Sequence, residues 1–201
     1  MSDFSQAVQA GRAYLWRALP EVLAHAEETV SPRMFRLMQS IVQQWRNLET
    51  QIAELEEEIA RVAQADPACQ RLQTVPGVGP LAATAIVAAV GNGAAFRKGR
   101  EFSAWLGLVP HQCSTGGQTK LLGISKRGNE YLRRLFIHGA RSVCLHVNRA
   151  RHVWGEWITE LKNRKPSNVA TVALANKLAR IAWSVLNRNE VYRSHDGNVT
   201  A

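Results

Sequence analysis

The residues best suited to chemistry lie between Gly123 and Arg134, in the stretch GISKRGNEYLRR. One serine, Ser125, stands there just ahead of an expected helix. Four cations follow it closely: Lys126, Arg127, Arg133 and Arg134. A serine oxygen that attacks a phosphodiester builds negative charge on the non-bridging oxygens, and fixed guanidinium groups stabilise that charge. The pattern therefore predicts phosphoryl transfer on a polyanion with Ser125 as the nucleophile, and Ser114 is the reserve nucleophile.

Charge is distributed unevenly along the 201 residues, which carry a net charge of +9. Residues 1–70 have 10 acidic and 6 basic side chains, a net charge of −4, whereas residues 71–201 have 6 acidic and 19 basic ones, a net charge of +13. A segment that basic attracts polyanions, so DNA is the expected partner. No apolar run approaches the roughly 20 residues that span a bilayer. We therefore expect no membrane partner and a cytoplasmic location.

Cysteines and histidines show no metal-binding pattern. Cys69, Cys113 and Cys144 are far apart and lack C-x-x-C spacing, so they are expected to be reduced thiols. His138 and His146 are eight residues apart, and a solvated or core role is expected for them rather than ligation. The sequence predicts no metal and no other cofactor in this chain.

A regular apolar stripe predicts a long helix in the acidic part. Its members recur at alternating steps of four and three, as in the seam of a left-handed coiled coil. They are Met34, Met38, Ile41, Trp45, Leu48, Ile52, Leu55, Ile59 and Val62. We expect residues 34–62 to form a homodimer or higher homo-oligomer through this stripe. The alternative is an antiparallel hairpin in which the stripe packs on a helix within residues 4–26.

Two further helices are expected around a glycine-rich turn, VPGVGP, at residues 75–80. The order of helix, turn and helix over residues 67–91 resembles a helix-hairpin-helix motif. Gly77 and Gly79 permit a tight turn and the close approach of backbone N–H groups to a DNA phosphate. Such contacts bind DNA without reading its sequence. A Gly-Pro turn between two core helices is the alternative.

Residues 96–193 are expected to form a serine-containing module with one small β hairpin. The glycine pair at 116–117 lies between two short strand-like stretches, so the hairpin would present Ser114 and Ser125 near its ends. Gly128 and Asn129 predict a turn and an N-cap for the next helix.

This module supplies the remaining candidate DNA contacts: Lys120, Arg141, Lys177 and Arg180. Their charges suit phosphate contact, although a solvated helix face is the alternative for such side chains. A plain phosphate-binding loop is likewise the alternative to catalysis by the serine stretch.

Together these patterns predict a mainly all-α protein. A helical linker and coiled-coil-like dimerisation arm is expected over residues 1–66, and a compact domain over residues 67–193. Residues 194–201 are expected to be a disordered tail.

Five motifs, in order along the chain, resemble the C-terminal transposase domain of the insertion sequence 110 family, and its 1111 branch in particular. They are VPGVGP, AWLGLVP, STGG, GISKRGNEYLRRL and VALANKLARIAW. The resemblance covers about residues 12–193. It implies a serine recombinase-like strand transfer in which Ser125 attacks DNA and forms a covalent phosphoserine link. It also implies a guide RNA as a partner of the full-length protein.

The resemblance further implies an N-terminal ribonuclease-H-like domain, whose four acidic residues, called DEDD, hold divalent metal. We expect this chain to lack that domain and its Mg²⁺, and therefore to be a truncated product or a fragment that is inactive alone. Two alternatives remain open. One is a non-catalytic, dimeric DNA-binding remnant of a transposase, and the other is a repair-type helix-hairpin-helix DNA-binding protein.

Overall fold

The structure is a computed structural model that describes residues 12–115, 118–146 and 154–193, without the side chains of residues 12, 13 and 114–121. The predicted mainly all-α fold is confirmed. The elements in chain order are α1 (Arg12–Thr29), α2 (Pro32–Ala65), α3 (Pro67–Gln73), α4 (Pro80–Val90), α5 (Gly99–Trp105), β1 (Pro110–Thr115), β2 (Gln118–Ile124), α6 (Glu130–His146), α7 (Gly155–Arg164) and α8 (Ser167–Arg188). The chain divides into two compact units, one ending at Leu55 and the other beginning at Glu56. The division falls within α2, and the predicted domain boundary after residue 66 stays a prediction.

The first unit contains α1 and the first part of α2, which contact each other through a few side chains. The rings of Trp16 and Trp45 lie 4.9 Å apart, and the Arg46 guanidinium lies 5.9 Å from the Trp16 ring centroid. Leu19 and Val42 are buried. A helical hairpin is therefore present, and Trp45 is a stripe residue that takes part in it.

Most of the apolar stripe on α2 is exposed. The exposed members are Met34, Ile41, Leu48, Ile52, Leu55 and Val62. The helix itself is as expected: it begins at Pro32, and the Oγ of Ser31 accepts a hydrogen bond from the backbone N of Met34 at 3.4 Å. The pairing of two copies through residues 34–62 stays a prediction.

A short capped helix opens the next part of the chain. The Oδ1 of Asp66 accepts a hydrogen bond from the backbone N of Ala68 at 2.7 Å, and Pro67 occupies the first helical position of α3. A turn containing Gly77, with φ of +82°, joins α3 to α4. The expected helix, turn and helix are thus observed, whereas a DNA-binding role for them stays a prediction.

The predicted β hairpin is confirmed. β1 and β2 pair antiparallel, with Cys113 opposite Lys120 and Ser114 opposite Thr119. The glycine pair at 116–117 and the expected disordered tail at 194–201 lie outside the described residues.

The core of the second unit is built around α8. This helix packs against α3, α5, α6 and α7. Its core side chains, which are almost completely inaccessible, are Leu174, Ala175, Leu178, Ala179 and Ala182. Alanines at several of these positions allow neighbouring helices to approach closely.

The expectation that no apolar run is long enough to span a bilayer is wrong at α8. By length and composition alone, this helix is long and apolar enough to cross a membrane, and half of the relevant window is buried inside the protein. One such helix is weak evidence for a membrane span, because the central helix of a packed core has the same composition. The burial of α8 against four neighbours identifies it as a core helix.

Candidate functional site at the serine loop

The serine loop, residues 125–129, lies backbone against backbone on the segment 105–109 that follows α5. Three backbone hydrogen bonds join them, from Ser125 N to Val109 O (2.9 Å), from Lys126 N to Gly107 O (3.2 Å) and from Asn129 N to Trp105 O (3.2 Å). These bonds extend the pairing of β1 and β2 beyond the hairpin. The loop is therefore held along its whole length although it contains no regular secondary structure.

Two glycines make this close approach possible. A Cβ atom on Gly107 would overlap the carbonyl oxygen of Arg127, and one on Gly128 would overlap the carbonyl oxygen of Trp105. Both glycines have positive φ, +72° and +94° respectively, which side chains other than glycine rarely adopt. The glycine of the SKRG motif thus serves to dock the loop on the segment beneath it.

Lys126 also adopts a left-handed backbone, with φ of +55°. Such a conformation in a residue other than glycine costs about 1 kcal/mol and persists only where its surroundings hold it. Ser125 is half-buried, and Lys126 and Arg127 are exposed. The candidate nucleophile therefore lies at the surface beside two cations and outside the apolar interior.

Arg133 lies beneath this loop. Only 8% of it is exposed, and its Nη1 donates a hydrogen bond to the carbonyl oxygen of Leu106 at 3.1 Å. A buried guanidinium is costly unless its N–H groups are bonded, so this contact fixes α6 against the segment 105–109. The direct DNA contact expected of Arg133 is untested, and the observed use of its side chain is structural.

Asn176 holds the same segment from the other side. Its Nδ2 donates a hydrogen bond to the carbonyl oxygen of Leu108 at 3.1 Å, across 68 residues of sequence. The segment under the serine loop is thus anchored to two core helices, to α6 through Arg133 and to α8 through Asn176. Nothing in the sequence distinguishes Asn176 from the other residues on the polar face of its helix.

The outer face of α6 carries exposed cations next to the loop. Arg134 and Arg141 are exposed, as is His138 between them. The Nε of Arg134 lies 3.9 Å from the Oε1 of Glu130, and both side chains are well exposed. Such a surface pair contributes little, so it leaves Arg134 able to meet a phosphate.

The two glycines of the VPGVGP turn have different surroundings. A Cβ atom on Gly77 would lie 2.7 Å from the carbonyl oxygen of Gly139, so Gly77 allows the turn to pack directly on α6. Gly79 has open space around it and is the N-cap of α4, with no side-chain cap. The structure thus supplies a packing reason for Gly77 and none for Gly79, where phosphate contact stays a prediction.

Lys177 and Arg180, predicted on the polar face of α8, are neighbours there. The Nζ of Lys177 lies 4.7 Å from the ring centroid of Trp157 and 5.3 Å from that of Trp154. Burial, together with the charge of Arg180, lowers the pKa of Lys177. Arg180 is exposed.

Two further cations were missed from the sequence. Lys98 and Arg100 line the same cavity as Lys177 and Arg180. The available signal was Gly99, a glycine between two cations at a helix start.

The structure does not locate every candidate side chain. The side chains of Ser114 and Lys120 lie outside the described part of the structure. Within the described residues, no three His, Cys, Asp or Glu side chains come together as a metal site. Cys69 is a free, buried thiol, and burial together with nearby Asp66 raises its pKa to about 11.

Part of this chain is similar to a known protein family. Residues 69–154, which include the serine loop and all of α6, match the profile described as Transposase IS116/IS110/IS902 family. Residues 69–154 belong to this transposase family. The resemblance inferred from the five motifs is thereby confirmed.

Named relatives extend the similarity over most of the chain. A probable family 20 transposase of Pseudomonas aeruginosa is 45% identical over 190 residues, covering 93% of this chain and 55% of the relative. The transposase for insertion sequence element IS1111A of Coxiella burnetii is 41% identical, covering 96% of this chain and 53% of the relative. The transposase for insertion sequence element IS1328 of Yersinia enterocolitica is 40% identical, covering 83% of this chain and 50% of the relative. The chain spans about half the length of these curated relatives.

Proposed function

We propose that this chain is the DNA-binding and strand-transfer part of an RNA-guided transposase that acts in DNA transposition. The observation that carries the proposal is the serine loop. It is a surface loop with an unusual backbone, docked by two glycines and three hydrogen bonds, within the residues that match the family. A fold that holds a short polar loop this firmly is suited to a site whose geometry matters.

In the proposed reaction the Oγ of Ser125 attacks a phosphorus atom of DNA. An O–P bond to the serine forms as the bond between phosphorus and a sugar oxygen breaks. The serine proton passes to a base, and the departing sugar oxygen takes up a proton. Lys126 and Arg127 are exposed beside Ser125 and stabilise the charge that develops on the non-bridging oxygens.

The described residues do not fit a divalent metal site, since no suitable cluster occurs among them. We assign Mg²⁺ and the guide RNA to the full-length protein, in keeping with the half of each relative that this chain does not cover. On this proposal the chain alone binds DNA and does not cleave it.

Self-association through residues 34–62 completes the proposal. The exposed stripe on α2 has the spacing of a coiled-coil seam, and a second copy of the chain presents the same stripe. Two copies place two serine loops in one assembly, as strand transfer between two DNA strands requires.

The test is the formation of a covalent protein–DNA adduct. The chain is fused to the N-terminal half of the Coxiella burnetii relative and incubated with Mg²⁺, guide RNA and labelled DNA. Adducts are separated on a denaturing gel. Ser125→Ala is expected to abolish the adduct, and the matched variant Ser114→Ala to leave it in place. The isolated chain should bind DNA equally with and without Ser125→Ala.

Three results would contradict parts of the proposal. An adduct that persists in Ser125→Ala and disappears in Ser114→Ala would transfer the nucleophile to Ser114. An adduct unaffected by either change would exclude both serines. Salt-sensitive DNA binding without any adduct in the fused protein would favour the non-catalytic remnant, in which the cations contact phosphate and the serine is incidental.

A further inference from the structure

A cavity of about 750 Å³ lies between α5, α7 and α8. The described residues that line it include four cations and no carboxylate. The cations are Lys98, Arg100, Lys177 and Arg180. Two indole rings, those of Trp157 and Trp183, supply apolar walls. The strand-transfer chemistry proposed above makes no use of these aromatic walls.

A single glycine brings the cations together. A Cβ atom on Gly99 would lie 3.1 Å from the carbonyl oxygen of Arg180 and 3.2 Å from the Cε3 of Trp183, so a side chain there would require its neighbours to shift by a few tenths of an ångström. Because Gly99 has none, the start of α5 lies directly on α8. Lys98 and Arg100, on either side of Gly99, then line the same cavity as the cations of α8.

The walls of the cavity are fixed. The Nε1 of Trp183 donates a hydrogen bond to the carbonyl oxygen of Gly93 at 3.1 Å, which holds that ring in place. Lys177 lies against the ring of Trp157. Burial, and then the nearby charge of Arg180, lowers the pKa of Lys177. Four cations that converge without an acidic partner repel one another, so an anion in the cavity would relieve this repulsion.

A second cavity of about 470 Å³ continues along α8. It shares Ile181 and Ser184 with the first. Its polar lining contains Arg188 and Arg193 together with one carboxylate, that of Glu190. The two cavities together make a groove along one side of α8, which we call the α8 groove.

The α8 groove begins close to the serine loop. Asn176 lines the first cavity and also bonds to the carbonyl oxygen of Leu108. The next residue, Val109, accepts the backbone hydrogen bond from Ser125. The backbone of Leu108 and Val109 therefore connects Asn176, at the end of the groove, to Ser125.

We propose that the α8 groove binds an unpaired strand of nucleic acid, with phosphates at the four cations and a base against Trp157. Cations along a groove follow a sugar-phosphate backbone, and an indole face offers a stacking surface to any base. In a duplex the bases already stack on one another inside the helix and cannot reach such a wall. The combination of cations with aromatic walls therefore favours a single strand over a duplex.

This inference rests on the proposed function only in that both place nucleic acid on the same basic domain. DNA and RNA share the chemistry that the groove recognises, because each supplies phosphates and exposed base faces. The source of the strand is therefore decided by experiment.

The test measures binding of the whole chain to dye-labelled probes by fluorescence anisotropy. The probes are oligothymidylate, oligouridylate and a DNA duplex of equal length, each of roughly 10 nucleotides per strand, a length that single-strand-binding domains cover. Arg180→Glu is expected to weaken single-strand binding about tenfold or more and duplex binding far less. Arg61→Glu makes the same charge change on an exposed part of α2 and is expected to affect all probes slightly and equally.

A second measurement does not depend on any variant. Oligonucleotides that carry a photoreactive iodouracil are irradiated with the unchanged chain, and the attachment site is found by mass spectrometry. Attachment at Trp157 or Trp183 is expected. Trp157→Ala should remove any attachment at Trp157 and weaken single-strand binding about tenfold, with circular dichroism to check that the variant is folded.

Each result of these measurements supports or overturns the binding of a single strand in the α8 groove. If Arg180→Glu loses binding to the single strands but not to the duplex, the groove is supported. The single strand that the unchanged chain binds more tightly, oligothymidylate or oligouridylate, then identifies the ligand as DNA or RNA. Equal loss on single strands and duplex in Arg180→Glu, or photoattachment away from the groove, overturns this inference and leaves the proposed function standing. Failure of the unchanged chain to bind any probe overturns both.

Discussion

In the part of the chain that the structure describes, the two longest helices are α2 and α8. Both carry a continuous apolar stripe, yet only α8 buries it. Leu48 on α2 is 56% exposed, whereas Leu178 on α8 is 0% exposed. The periodicity of apolar residues determines which face of a helix is apolar, and it carries no information about what covers that face. The comparison thus separates a property of the helix from a property of its surroundings.

The surroundings differ because the two helices have different neighbours. α8 contacts four helices, which cover its stripe on several sides. In the unit that ends at Leu55, α1 meets α2 through the ring pair of Trp16 and Trp45 and a few buried side chains. Most of the stripe of α2 is exposed, and we propose that a second copy of the chain covers it.

The largest expected effect compares the same substitution on both helices. Leu178→Ala removes a side chain from a filled core and is expected to lower the free energy of unfolding by about 2–5 kcal/mol. Leu48→Ala, at low protein concentration, is expected to change it by less than about 0.5 kcal/mol because the side chain is already in water. Urea unfolding followed by circular dichroism measures both. Equal losses in the two variants would show that Leu48 is covered within the monomer.

Self-association is expected to depend on Leu48 of α2, although unfolding of the monomer does not. A leucine that becomes buried in a dimer contributes about 1.5–3 kcal/mol, so Leu48→Glu is expected to weaken association by at least tenfold. Sedimentation equilibrium over a range of concentrations measures the dissociation constant. Gln51→Glu adds the same charge off the stripe of this helix and serves as the control. Association that survives Leu48→Glu unchanged would exclude the stripe as the interface.

A smaller effect is expected at Asp66, where α2 ends and α3 begins. Asp66→Ala removes the hydrogen bond to the backbone N of Ala68 and is expected to cost about 0.5–2 kcal/mol in unfolding free energy. Asp66→Asn keeps an acceptor at this position and should cost less. Thermal unfolding of the two variants compares them, and a greater loss in Asp66→Asn would contradict the capping role.

The smallest effect concerns the ionisation of Cys69. Its pKa is raised from 9.0 to about 11, first by burial and then by Asp66. The folded state therefore disfavours the thiolate, and this contribution to stability is complete below pH 9 and falls as the pH rises toward 11. Asp66→Asn should lower the pKa, without restoring the ordinary value, because burial remains. Thiolate absorbance in a chain whose only cysteine is Cys69 measures it, and an unchanged pKa would exclude the charge of Asp66 as a cause.

Local signals in the sequence predicted much of the secondary structure near the candidate site. Asn129 was expected to cap a helix, and its Oδ1 accepts a hydrogen bond from the backbone N of Leu132 at 2.9 Å, in the first turn of α6. The hairpin of β1 and β2 was likewise predicted. Each depends on residues only a few positions apart, so the sequence contains the whole interaction.

Interactions between distant residues were not predicted. Arg133 looked like one more surface cation, and only the fold shows that it is buried against Leu106. Gly77 looked like a phosphate-binding glycine, and its nearest constraint is the backbone of Gly139. Lys98 and Lys177 gave no sign of sharing a cavity. In each case the partner lies dozens of residues away.

By itself, the sequence determined the helical class, the long apolar stripe, the basic second half and the transposase family, because composition, short-range periodicity and ordered motifs are all legible along a chain. Tertiary structure alone decided which stripe is buried, which arginine supports the serine loop and which cations share the α8 groove. The physical reason is that burial and charge clustering arise when segments far apart in sequence meet, and a list of residues does not contain those meetings.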